Sequence, residues 1–154
     1  MVQKELLTTD QLRVAVEKKW IEHIKLCQDN FIYFVKEVWP DFICRLDPNP
    51  KKWGHHQHIA SEFTQISKKK KGRLIINMPP RHTKSEFASF LFPAWMIGKY
   101  PGLKIMQVSH NAELSSRFGS KVRNLMEQKE YKQIFGDVKL REDSKAKGRW
   151  ETNH

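Results

Sequence analysis

Leu12, Val16, Trp20, Ile24 and Cys27 recur every three or four residues, the spacing of one face of an α-helix. Thr8, with Gln11 three residues on, forms a capping-box pattern, so the first helix is expected to start there. Asn30 is placed to cap a short second helix with Phe31, Phe34, Val35 and Val38 inward. Trp39-Pro40 ends it, because a residue before proline avoids helical geometry. Residues 46–54 read as loop by composition. A third helix is predicted from about His56 to Ser67, with Ile59, Phe63 and Ile66 on one side and the lysine run and Gly72 closing it.

The period then changes. Arg73 to Asn77 is a short apolar run, expected to be a strand buried on both faces. From Ser85 to Ile97 the spacing is helical again, with Phe87, Leu91 and Trp95 four apart. Pro93 is predicted to kink this helix and Gly98 to stop it. Pro101-Gly102 reads as a turn and Lys104 to Ser109 as a second strand. Asn111 then caps a helix carrying Leu114, Phe118, Val122 and Leu125. Strand, helix, strand, helix predicts a right-handed βαβ crossover: an α/β fold with a parallel sheet flanked by helices. Tyr131 to Phe135 is expected to be a helical turn and Arg149 to Thr152 to begin a strand.

Composition narrows the class. The 154 residues fit one ordinary domain. Five Trp, nine Phe and 39% apolar residues exclude a disordered chain. No apolar run approaches the ~20 residues of a membrane span, and Met-Val-Gln-Lys-Glu lacks the apolar region of a secretory signal. Cys27 and Cys44 fit neither a disulfide framework nor a zinc knuckle, and read as buried small residues in a reducing compartment. A net charge of +11 points to a polyanionic partner. The competing reading is a solvated basic surface that only aids solubility. Lys68–Lys71 divides the same way, as a DNA contact or as cations suited to a helix C-terminus.

The chemistry concentrates in Leu-Ile-Ile-Asn-Met-Pro-Pro-Arg-His-Thr-Lys-Ser, residues 74–85. An apolar run, a proline-braced loop, Lys84-Ser85 and an amphipathic segment follow one another as in a P-loop. There, loop amides and a helix N-terminus face phosphate oxygens, the lysine reaches the outer phosphates and the hydroxyl holds Mg²⁺. The usual pattern is G-x-x-x-x-G-K-[ST], and here Met78 and Thr83 occupy the glycine positions. A threonine restricts the backbone and crowds the phosphates. His55, His56 and His58 invite a zinc reading, but adjacent residues on a helix do not face one point. Ser109-His110 lacks the Asp partner and nucleophile elbow of a hydrolase.

Several segments, in this order and spacing, carry a family likeness. They are Met-Pro-Pro-Arg-His-Thr-Lys-Ser-Glu (78–86), Phe-Pro-Ala-Trp-Met-Ile-Gly (92–98), and Ser109-His110 followed by Ala-Glu-Leu. Val-Arg-Asn-Leu (122–125), Tyr131 with Ile134-Phe135, and Trp-Glu-Thr-Asn (150–153) complete the set. Over about residues 31–154 the chain resembles the large terminase subunit of tailed bacteriophages, an ATP-driven DNA-packaging motor.

The resemblance implies an N-terminal helical segment (1–45) before the first part of a P-loop ATPase domain (46–154). The Walker B aspartate, the catalytic glutamate and the nuclease domain would lie beyond residue 154, leaving the sheet incomplete and this chain inactive alone. It implies ATP and Mg²⁺ as cofactors, bound by Pro80, Arg81, His82, Thr83, Lys84 and Ser85, with Ser85 as the Mg²⁺ hydroxyl. Lys84 and Arg81 take the catalytic roles, Arg81 at the γ-phosphate, and Gln57 or His56 is placed to read adenine. The implied partners are double-stranded viral DNA, a small terminase subunit and the procapsid portal in the host cytoplasm. Oligomerisation is expected only on docking. A helicase-type NTPase and a basic DNA-binding module without catalysis are the alternatives.

Overall fold

The computed structural model describes residues 8–41, 47–70, 72–136, 138–145 and 150–153. Cys44, Lys71 and Arg149 lie outside the described residues. Helix α1 spans Thr9–Asp29 and opens on the expected capping box. The Thr8 amide donates to Gln11 Oε1 at 2.8 Å, and the Gln11 amide donates to Thr8 Oγ1. Its apolar stripe is only half used. Cys27 is buried and Ile24 packs on the core, whereas Leu12, Val16 and Trp20 are exposed. No described residue covers that outer stretch, so periodicity located the helix without identifying its packed face.

Helix α2 (Phe31–Val38) is the hub of the core. Phe31 is fully buried and stands edge-on to Phe63, Phe87 and Phe92, with ring centroids 5.3, 5.6 and 5.8 Å away. Phe92 stacks on Phe63 at 4.2 Å, and Trp95 closes the cluster 5.5 Å from Phe31. Edge-to-face pairs set relative orientation as well as burying area. Phe63 comes from α3 (His55–Ser67), preceded by a short 3₁₀ turn at Pro50–Lys52. That helix ends with Lys69 in the left-handed region (φ 57°). The Lys69 and Lys70 amides reach back to the Ile66 and Gln65 carbonyls, so much of the lysine run serves to close the helix.

The next helix departs from the expectation in an instructive way. Pro93 has no N–H for the carbonyl four residues back, that of Ser89, and its ring crowds it. The chain answers before the proline: Glu86–Leu91 is π-helical, with the Phe92 N–H bonded back to the Phe87 carbonyl. The Ser89 carbonyl accepts the Gln107 Nε2–H instead. α4 (Phe92–Lys99) then carries Pro93 harmlessly in its first turn. Gly98 lies inside α4 and does not end it. It is buried face to face with Phe135, where any Cβ would overlap the ring.

Helix α5 (Ala112–Met126) starts where expected, with Asn111 Oδ1 accepting the Glu113 N–H at 2.7 Å. α6 (Lys129–Ile134) buries Tyr131, whose hydroxyl donates to the Ala94 carbonyl. Strands β1 (Leu140–Lys145) and β2 (Trp150–Thr152) pair antiparallel. This pair is the one sheet among the described residues.

Residues 73–79 and 103–109 are non-helical, as expected, but join no ladder among the described residues. Burial alternates along 73–79, whereas in 103–109 Gln107 alone is partly buried. Leu74, Ile76 and Met78 pack on the core, whereas Ile75 is 86% exposed, as are Met106 (86%) and Val108 (83%). Among the described residues no helix is long and apolar enough to cross a membrane.

Phe31→Ala is expected to lower the unfolding free energy by about 3–5 kcal/mol in denaturant titrations. A loss under about 1 kcal/mol would contradict its place as hub. Gly98→Ala is expected to destabilise by about 1–3 kcal/mol through overpacking. An unchanged midpoint would show that Phe135 can swing aside.

Candidate functional site

Residues 78–85 turn at Pro80-Arg81 and enter helical geometry at Lys84. Arg81 (φ 65°) and Thr83 (φ 61°) both sit in the left-handed region. For a β-branched threonine that is a true outlier, of the kind that concentrates at ligand clamps. The glycine position of the motif therefore keeps the backbone conformation that glycine serves, although it carries a side chain.

Side-chain hydrogen bonds hold this shape. The Thr83 hydroxyl donates to the His82 carbonyl at 2.7 Å. That leaves its oxygen to accept from His56 Nε2–H, also at 2.7 Å, and assigns the tautomer of His56. His82 Nδ1–H donates to the Pro80 carbonyl at 2.9 Å. Lys84 folds across the loop and donates its ammonium to the Met78 carbonyl at 2.8 Å. An incoming phosphate oxygen would compete with that one neutral carbonyl for the ammonium, and a charged acceptor makes the stronger bond.

The core fixes where the loop sits. The Phe87 N–H bonds the Thr83 carbonyl, and the Phe87 ring lies 5.4 Å from His56 and 5.6 Å from Phe31. Behind the loop, Glu86 takes a bidentate ion pair from Lys121 of α5, at 2.7 and 2.9 Å. Glu86 is thus engaged in structure and is not poised to orient a water.

The contact with Thr83 sets His56 beside the loop made of Pro80, Arg81, His82, Thr83, Lys84 and Ser85. Arg81 and Ser85 are exposed and Lys84 is half-buried. Gln57 is buried in α3. Ser109 donates its hydroxyl to the Asn111 carbonyl at the start of α5, which commits it to the turn. A separate cleft of about 810 Å³ lies between Ile97, Leu103, Met106, Gly119 and Trp150, and includes none of residues 78–85. Sequence reasoning passed over a further cluster, His23, Cys27 and Glu37, because its third member comes from a second helix.

No protein-family model, curated protein or solved structure matches this chain.

The electrostatics of His56 can be tested by pH. Burial, and then the neighbouring His55 and His82, lower its pKa from about 6.5 to about 4. In the folded chain it is therefore neutral at pH 7, while the unfolded chain takes up the proton near pH 6.5. Between these values the unfolded state binds more protons, so stability falls as the pH drops from about 6.5 to about 4. His56→Gln is expected to flatten that part of the melting-temperature profile. Superimposable profiles would contradict the assignment.

Proposed function

We propose that residues 78–85 are a phosphate-binding loop for a magnesium nucleotide. On this reading the chain is the ATPase part of a terminase-like motor that moves double-stranded viral DNA into procapsids. The observation that carries the reading is the loop itself. Two non-glycine residues are held in left-handed geometry directly before a lysine whose ammonium lies across the loop, at the start of a helix.

The roles follow from chemistry. Amides at the helix start and the Lys84 ammonium would meet phosphate oxygens, and the exposed Ser85 hydroxyl would reach the bound Mg²⁺. Exposed Arg81 offers a planar guanidinium suited to the outermost phosphate. His56 neighbours the loop, as a nucleotide-reading residue must, while buried Gln57 would act by shaping the start of α3. Magnesium, when bound with the nucleotide, neutralises charge on the phosphate oxygens. On this reading a small terminase subunit and the procapsid portal would be the chain's partners.

The α/β expectation stays with this proposal. Segment 73–79 alternates in burial with the period of a strand, and its outward Ile75, like the exposed Met106 and Val108 of the second segment, is apolar. Such segments suit a sheet covered on both faces. The net charge of +11 supports a nucleic-acid partner.

Titration of a fluorescent ATP analogue with Mg²⁺ tests the reading. Lys84→Ala removes a charge-assisted bond worth about 1.5–3 kcal/mol, so affinity should fall by roughly 10- to 100-fold. Equal binding by both proteins would contradict it. Salt-sensitive DNA binding indifferent to Mg-ATP, with no nucleotide affinity, would favour a basic DNA-binding module instead.

A further inference from the structure

His23 and Cys27 are four residues apart on α1 and share a face, and Glu37 of α2 completes a group with them. His23 Nε2 lies 2.9 Å from Glu37 Oε2 and 3.7 Å from Cys27 Sγ, and the three donor atoms all fall within 4.8 Å of one another. We infer that His23, Cys27 and Glu37 form a zinc-binding site that clamps α1 to α2.

One ring nitrogen facing both a carboxylate and a sulfur is the central observation. A nucleophilic Cys-His-Glu relay needs two different ring nitrogens, one for the thiol and one for the carboxylate. Here Nε2 would have to serve both. A single proton on Nε2 has to be shared between the carboxylate at 2.9 Å and the sulfur at 3.7 Å. A cation at the shared point engages all three.

The dimensions agree with zinc. Tetrahedral Zn²⁺ with Zn–S of about 2.3 Å and Zn–N of about 2.05 Å separates sulfur from nitrogen by roughly 3.6 Å. The observed separation of 3.7 Å already matches. Nitrogen and oxygen ligands should stand roughly 3.4 Å apart, so the His23–Glu37 contact, now 2.9 Å, opens modestly on loading. One thiolate, one carboxylate and one neutral imidazole cancel the dication's charge. The soft sulfur selects zinc over magnesium. Three protein ligands leave a fourth position, which water can take from the side where His23 and Glu37 are partly exposed (38% and 29%).

The support is built. The Cys27 carbonyl accepts Trp95 Nε1–H at 2.9 Å in the core, and Trp20 stacks on His23 with ring centroids 5.8 Å apart. Cys27 lies four residues before Phe31, across the α1–α2 junction, so the clamp would brace the hub of the fold. It does not involve the 78–85 loop and stands or falls separately from nucleotide binding.

The test uses the full chain, stripped with a chelator and titrated with Co²⁺ and then Zn²⁺. The expected result is one equivalent of cobalt with tetrahedral d–d bands and a thiolate-to-cobalt charge-transfer band, displaced by zinc. Glu37→Gln keeps the side-chain shape and is expected to bind at least about tenfold more weakly while folded by circular dichroism. Cys27→Ser should lose the charge-transfer band, and Cys44→Ser should retain it. A folded protein with no thiolate band, or a band that disappears with Cys44→Ser, would overturn the site.

Discussion

Phe31 and the rings around it are the constraint from which the rest of the structure takes its geometry. They join α2 to α3 through Phe63, to the π-helical turn through Phe87, and to α4 through Phe92 and Trp95. Edge-to-face contacts fix angles, so the direction in which the 78–85 loop enters its helix is decided in the core. The Phe31 amide also donates to Thr64 Oγ1 at 3.3 Å, tying the start of α2 to α3. The helical segment at the N-terminus is thus part of the body that holds the loop.

The loop stores strain that this body must offset. A non-glycine residue in the left-handed region costs on the order of 1–3 kcal/mol, and Arg81 and Thr83 both occupy it. A neutral hydrogen bond returns only about 1 kcal/mol net. The His56–Thr83–His82 chain therefore roughly balances one residue's strain and no more. Packing of buried Phe87, four residues on, supplies the remainder. A loop held against its own preference, with a lysine ammonium drawn across it, is preorganised for an anion in a way that a surface turn is not.

Much of the helical architecture was legible in the sequence because its signals are local. Thr8 with Gln11, Asn111 and Trp39-Pro40 mark termini through contacts within a few residues. What depended on distant residues was not legible. Pro93 announced an irregularity, but its form, a π-helical turn with Gln107 serving the Ser89 carbonyl, needed a partner from another segment. Gly98 reads as a stop in isolation and proves to be a packing position because Phe135 arrives from α6's end. The stripe on α1 has the right period, yet Leu12, Val16 and Trp20 stay exposed, since periodicity does not say what lies opposite. In the candidate site the motif was visible, whereas the left-handed geometry of Thr83 and its bond to His56 emerged only from the fold. His23, Cys27 and Glu37 were hidden for the same reason.

The most direct measurement of the central claim is a map of backbone amide shifts by NMR as Mg-ADP is added to the labelled chain. The account predicts large shifts confined to residues 81–87 and the start of α3, with smaller ones spreading through Phe87 towards Phe31. Shifts centred on the cleft around Met106 and Trp150, or none in a folded chain, would contradict it.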